Sequence, residues 1–376
     1  MSTTVHGMPA DEEVIAGEQS IGYRMAAATP EQRRVLRTRT LDDRLSLVGA
    51  AAAAFALVWL LYSRLLPLSG SFGFIVCWYV VFLLIYALVC RQRHAMVAVW
   101  DRLMAAVVTG GAVVVGGTLV LVVISTLWQG RNALAHLNFF TTDFRFTGPL
   151  TGLTVGGVLH AVVGTLVEIA IVIAITLPLG VTTAIYLNEV GGRAARVVRA
   201  VVEAMTALPD VLAGLFVYIV LLVTLGLPAS GFAAAVALSI TVLPIVARAG
   251  EVVLRVVPGG LREASLALGA SQWQTVWRVV LPTARPGLAT ALILGVARGI
   301  GETAPVLLTA GYTTYTNFNP FNGSMTSLPL LSYRLSQSSE HNQVDRAFGA
   351  ASVLLVLVVL LFVIARLAVR HRVGRQ

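Results

Sequence analysis

Apolar residues in this chain come in long runs separated by polar segments. Eight runs are visible, at roughly 46–66, 71–90, 103–128, 157–187, 199–225, 231–249, 284–310 and 347–369. Crossing the hydrocarbon layer of a bilayer takes about 20 mostly apolar residues in a helix. Each run therefore predicts a membrane-spanning helix, and the expected fold is an all-α polytopic membrane protein. Three polar stretches stand apart from these runs. Residues 1–45 carry acids at Asp11, Glu12, Glu13 and Glu18, then bases at Arg24, Arg33, Arg34, Arg37, Arg39 and Arg44. They hold no short apolar core followed by a small-residue cleavage site, so they read as a cytoplasmic tail rather than a secretion signal. Its basic end is expected near anionic headgroups of the membrane lipid. Residues 250–284 have a helical pattern, and 311–346 are rich in Asn, Ser, Thr, Tyr and Pro.

Composition agrees with the runs. Of 376 residues 57% are hydrophobic and 12% charged, against about 25% charged in soluble domains. The net charge of +9 raises the question of nucleic acid, but its distribution answers otherwise. All 27 basic residues are arginines, gathered between the apolar runs. With the loops placed alternately, 21 fall on one side (the tail, 91–102, 188–199, 248–285 and the C-terminus) and 5 on the other (Arg64, Arg131, Arg145, Arg334 and Arg346). This positive-inside pattern orients both termini toward the cytoplasm and gives no nucleic-acid-binding stripe. Cys77 and Cys90 share one apolar run and read as small core or lipid-facing residues, with no disulfide framework and no metal-ligand spacing. No cofactor is expected. Without lysine there is no Gly-x-x-x-x-Gly-Lys phosphate loop, and no His-Glu-x-x-His motif appears, so the chain is read as non-catalytic.

Two stretches carry the candidate chemistry. In "VARGIGETAP" (296–305), Arg298 and Glu302 stand four residues apart inside an apolar run. An ionised group at the centre of a membrane helix costs at least about 2.5–3.5 kcal/mol, so it normally faces a cavity or a partner. Gly295 and Gly299 lie four apart with Gly301 following, a spacing that lets helices approach closely. Pro305 removes a backbone hydrogen bond and is expected to kink the helix. Glu168 is read as pairing with Arg298 or facing a subunit interface. His160 reads as a polar interface residue nearer the outer end, and Asp210 after Pro209 as the cap of a restarting helix. The second stretch, "VPGGLREASLALGASQWQTVWRVVLP" (257–282), predicts an amphipathic helix for the bilayer surface or a partner's groove. Gly269 permits a sharp turn there, and Pro282 is expected to set the entry to the next membrane helix. In the outer 311–346 segment, Tyr312, Tyr315, Phe318, Phe321 and Tyr333 are candidates for the membrane interface, and the segment suits a docking loop or a plain connector equally.

The second stretch resembles the cytoplasmic loop of ABC-importer permeases, whose signature is Glu-Ala-Ala, three residues, Gly, nine residues, Ile, one residue, Leu-Pro. Here Glu263, Ala264, Ser265, Gly269, Val279, Leu281 and Pro282 keep that spacing, with Ser265 and Val279 as mild departures. The resemblance implies that Glu263, Ala264, Ser265, Leu268, Gly269 and Ala270 belong to a coupling helix inserted into a separate ATPase subunit. "RGIGETAP" (298–305) is similar to the Arg-x-x-Gly-Glu-Thr-Ala-Pro stretch of the phosphate-specific branch, and "LPLGVTTAIYLNEV" (177–190) and "LHAVVGTLVE" (159–168) resemble another helix of that branch. The likeness covers about 103–370 and implies a type I importer core of six transmembrane helices. The hairpin 46–95 is extra, and one hypothesis is that it braces the permease against lipid or an accessory protein. The implied partners are a second phosphate permease, two ATP-binding subunits, an extracytoplasmic phosphate-binding protein and inorganic phosphate, in a bacterial inner membrane. A permease for molybdate or sulfate and a secondary carrier are the alternatives.

Three readings of the opening pair remain. Arg298 contacts the anion on the translocation path through its planar fork, with Glu302 holding the fork between transport events. Otherwise the pair is a structural lock, or Glu302 carries a proton. Thr303 and Glu168 are placed on the same path.

Overall fold

A computed structural model describes residues 41–65, 70–93 and 95–373. Nearly all of the expected tail 1–45 therefore lies outside the described residues. Among the described residues seven helices are long and apolar enough to cross a membrane, or eight if one sharply bent pair is a single span. The chain divides into two compact units, residues 1–117 and 118–376.

The first unit contains α1 (Leu41–Leu60), continued by a wide π-type turn at Leu61–Leu65, and α2 (Ser71–Arg93). It also holds the start of α3 (Met96–Leu134). Aromatic edges join α1 to α2: Phe55 meets Phe74 with ring centroids 5.6 Å apart, and Trp78 Nε1 donates to the Ala51 carbonyl at 3.1 Å. Cys90 is buried with Ala50, Tyr86 and Val99, while Cys77 is exposed, so the two cysteines divide between core and surface.

The second unit is built around α7 (Gly231–Val256). Of the most apolar stretch of α7, 56% is buried within the chain, whereas none of that of α3 is, which makes α7 the central helix. On one side it packs against α4 (Leu159–Ile185, continued by a wide turn at Tyr186–Val190). There a Cβ at Gly180 would lie 2.7 Å from Val246 Cγ1, and one at Gly250 would lie 3.0 Å from the Ala184 Cβ. Beside α4, and packed on some of the same residues of α7, lies α9, which runs over Gln272–Ile300. The seam of small residues lets these backbones approach closely, as packing between membrane helices requires.

Two of the apolar runs are not single straight helices. The run 199–225 is divided between α5 (Gly192–Ala207) and α6 (Asp210–Val217, continued to Thr224), bent by 104°. The physical cause is Pro209, which forces the preceding residue into extended backbone; Leu208 adopts ψ 126°. The start of that run falls inside a charged amphipathic helix that carries Arg193, Arg196, Arg199 and Glu203. The run 284–310 ends as a helix at Ile300, and a short α10 (Ala304–Thr309) follows. Pro305 therefore opens α10 in its first turn instead of kinking a continuous helix. Pro282, expected at the entry to a membrane helix, stands in the first turn of the α-helical stretch Leu281–Ile300 within α9. The helix has already started at Gln272, and a wide turn at Val276–Val280 precedes the proline. Such a turn absorbs the backbone bond that proline removes.

The coupling segment folds as α8 (Gly259–Ala267), entered after Pro258. Gly269 then turns the chain with φ 83°. Ser271 opens α9 with a reciprocal capping box to Gln274, which satisfies two of the orphan N–H groups of a helix start. At the other end α11 (Leu328–Ser336) packs against α12 (His341–Val373) around Leu328, Leu331, Ala347 and Ala350.

Candidate functional site

Arg298 stands in the last turn of α9, just before the helix stops. Its guanidinium is 61% exposed, and its Nε lies 3.4 Å from Glu302 Oε1. The expected pairing is thus present, although it spans the end of a helix rather than the middle of one. Glu302 sits in the break, its N–H donating to the Gly299 carbonyl at 3.1 Å. Thr303 precedes α10 without a side-chain capping bond. A third group joins from a distant part of the chain: Asp210 Oδ2 lies 4.0 Å from Arg298 Nη2. Asp210 was expected to cap a helix restart, but it is the first residue of α6 and Pro209 holds the cap position with no side-chain bond. Its carboxyl faces both Arg298 and the carboxyl of Glu302.

The neighbouring glycines set this geometry. A Cβ at Gly295 would lie 2.7 Å from Val246 Cγ2, and one at Gly299 2.6 Å from Val242 Cγ2, so both permit the seam between α9 and α7. Gly301 packs against nothing outside its own turn and serves the helix end. Pro305 is buried against α6, where a Cβ at Gly214 would lie 2.6 Å from Pro305 Cα. The helix carrying Asp210 and the loop carrying Glu302 are thereby fastened together.

Glu168 does not join this cluster. Among the described residues Arg298 pairs with Asp210 and Glu302. Glu168 is 2% exposed on α4, beside the Ser327 hydroxyl, and its Oε1 has no hydrogen-bond partner. Both expectations for it, an ion pair with Arg298 and a place at a subunit interface, are corrected by this burial. His160 is corrected similarly: it is enclosed within the chain with its ring centroid 6.1 Å from that of Phe144. Arg346, counted among the outer loop arginines, is buried in α12 and donates through Nη2 to the carbonyls of Gly152 and Val155 at 2.7 and 2.9 Å.

The 311–346 segment is largely folded into the unit. Met325, Thr326, Ser327 and Leu328 are buried, the Leu328 N–H donates to Thr165 Oγ1 at 2.8 Å, and Asn317 Nδ2 donates to three carbonyls of 322–324. Tyr315, Phe318, Phe321 and Tyr333 are exposed on it. Tyr312 lies under Arg334, whose guanidinium carbon is 4.8 Å from its ring centroid, and burial pushes its phenol upward.

The coupling segment presents Leu261, Leu266, Leu268, Trp273 and Trp277, all exposed, with Leu268 at 90%. Glu263, Ala264 and Gly269 are also exposed and Ala270 is half-buried. Ser265 Oγ lies 2.9 Å from Thr275 Oγ1 and ties α8 to α9. A residue that the motif does not feature anchors the segment. Arg262 Nη2 meets Glu189 Oε1 at 2.8 Å and also donates to the Leu254 carbonyl, while its Nη1 donates to that of Val257. Gln272 Nε2 donates to the Glu189 carbonyl at 2.6 Å. Glu189 at the end of α4 thus binds both flanks of the turn. Nearby, Glu251 of α7 accepts from Arg199 at 2.7 Å and Arg255 at 2.9 Å.

The chain is similar to known transport proteins. The phosphate transport system permease protein PstA 1 of Mycobacterium tuberculosis is 43% identical over 231 residues, 61% of this chain and 74% of that protein. The phosphate transport system permease protein PstA of Pasteurella multocida is 34% identical over 214 residues, 56% of this chain and 76% of that protein. Among solved structures, an inward-facing conformation of the MetNI methionine ABC transporter matches with a TM-score of 0.45 at 26% identity, covering 57% of this chain and 94% of the other. The model of the binding-protein-dependent transport system inner membrane component matches residues 176–375. These residues hold the bent helix pair, the coupling segment and the Arg298 cluster, and the chain belongs to that family of multi-span inner-membrane transport components.

Proposed function

We propose that the chain is the transmembrane permease subunit of an ATP-driven phosphate importer. The observation that carries this reading is Arg298, a guanidinium held by carboxylates at the broken end of a glycine-packed helix, half open to its surroundings. A guanidinium offers parallel N–H donors in a fixed fork, which matches two oxygens of a tetrahedral oxyanion. Relatives similar over 56–61% of the chain are named phosphate transport permeases.

In this reading a second permease of the same kind completes the path, and an extracytoplasmic phosphate-binding protein delivers the anion. Two ATP-binding subunits grip Glu263, Ala264, Ser265, Leu268, Gly269 and Ala270 and the exposed apolar side chains around them. This chain contributes no ATP chemistry. Closing of the ATPase pair moves α8, and the permease alternates between two states that bind phosphate differently, which is what a population shift requires. Both termini lie in the cytoplasm, as the distribution of arginines implies.

Phosphate uptake by proteoliposomes holding the whole complex, with ATP hydrolysis recorded in parallel, tests the reading. Arg298→Gln is expected to abolish uptake while assembly and hydrolysis persist. Normal uptake by that variant would reduce the cluster to a structural lock. Uptake of molybdate or sulfate in place of phosphate would reassign the substrate, and uptake without the ATPase would identify a carrier.

A further inference from the structure

Three elements converge on one guanidinium: α9 supplies Arg298, the break after it supplies Glu302, and α6 supplies Asp210. The two contacts are unequal. Glu302 Oε1 lies 3.4 Å from Nε, its side chain 15% exposed and its backbone bonded to Gly299. Asp210 Oδ2 is looser at 4.0 Å from Nη2, with its side chain 34% exposed. Asp210 has no capping duty at the start of α6. Asp210 faces the guanidinium and also the Glu302 carboxyl, so an incoming oxyanion finds that edge already occupied by a carboxyl group. The Nη2 edge that Asp210 faces is also an edge that a tetrahedral oxyanion would use in a forked contact.

Building on the phosphate-importer reading, we propose that Asp210 is a built-in competitor for the transported anion. Its carboxylate stands in for an oxyanion oxygen at Arg298 in the empty permease and must be displaced when phosphate arrives. Glu302 stays in place and positions the guanidinium. Asp210 is the first residue of α6, directly after the 104° bend from α5, and so comes from a different element than Arg298. Because Gly214 of α6 packs on Pro305, the displacement is local: the Asp210 side chain turns off the Nη2 edge while α6 and the pair formed by Arg298 and Glu302 stay in place. The device keeps the internal anion site weak, so that phosphate is passed on rather than trapped.

The test is a phosphorus NMR line-broadening titration of inorganic phosphate into the detergent-solubilised whole complex, without nucleotide or binding protein. An exposed ion pair is worth at most about 1 kcal/mol, which corresponds to a shift of about two- to five-fold in apparent Kd. Asp210→Asn is expected to bind phosphate tighter by that factor. Asp210→Glu keeps the competitor and is expected to match the wild type. Arg298→Gln combined with Asp210→Asn is expected to lose the gain, which a merely loosened structure would retain. Should Asp210→Asn fail to assemble, Asp210→Ser makes the same test. An unchanged Kd, no detectable binding by any variant, or an equal gain in the double variant overturns the proposal. ATP-driven phosphate uptake by the wild-type complex with its binding protein is measured alongside. Failure of that uptake sinks the phosphate reading; a tightening seen with sulfate or molybdate instead would keep the competitor and change its substrate.

Discussion

At the scale of single residues, the glycines give the most direct check on the packing. Gly214 faces the backbone of Pro305, Gly299 faces a valine side chain, and Gly301 faces no other element. Overpacking in a close-packed interior costs about 1–3 kcal/mol, and backbone yields less readily than a side chain. Thermal unfolding of the solubilised complex is expected to rank the alanine variants, with Gly214→Ala losing most, Gly299→Ala less and Gly301→Ala least. A large loss at Gly301 would contradict the assignment of that residue to the helix end. The pair formed by Arg298 and Glu302 was legible from its spacing, since residues four apart share a helix face. The turn at Gly269 was legible because glycine is the residue that reaches positive φ freely. Asp210 was not, because its partner is distant in sequence and a Pro-Asp step reads locally as a helix start. Glu168 and His160 were misjudged because polarity in an apolar run says nothing about which neighbour encloses it.

At the scale of elements, the turn between α8 and α9 hangs on Glu189. Its carboxylate holds Arg262 and its carbonyl holds Gln272. Removing a hydrogen bond to a charged group costs about 1.5–3 kcal/mol. Glu189→Gln is therefore expected to leave the helices folded and to raise the number of ATP molecules hydrolysed per phosphate imported. Equal stoichiometry in variant and wild type would assign the contact to stability alone. The apolar runs named the helices well because lipid-sized hydrophobic length is a strong signal. Their ends were less legible. The run that began at 199 merged a charged amphipathic helix with an apolar one across Pro209, and the one that ended at 310 hid a break at 301–303.

For the whole molecule, the N-terminal hairpin poses its own question. The hypothesis that residues 46–95 brace the permease predicts that deletion of residues 1–95 lowers the yield of assembled complex on size-exclusion chromatography. Full assembly with full uptake would refute that role. The core has a plainer mechanical consequence. The helix Gln272–Ile300 begins just after the turn at Gly269 and ends two residues short of Glu302. At about 1.5 Å per residue it is a rod of roughly 40 Å with no loop between its ends. A push on one tip reaches the other as tilt, pivoting where the glycine seam presses on α7. On the proposed reading the anion site and the power stroke would need no relay of intervening switches: they would be two ends of one lever, whose stiffness sets how much of the stroke is delivered.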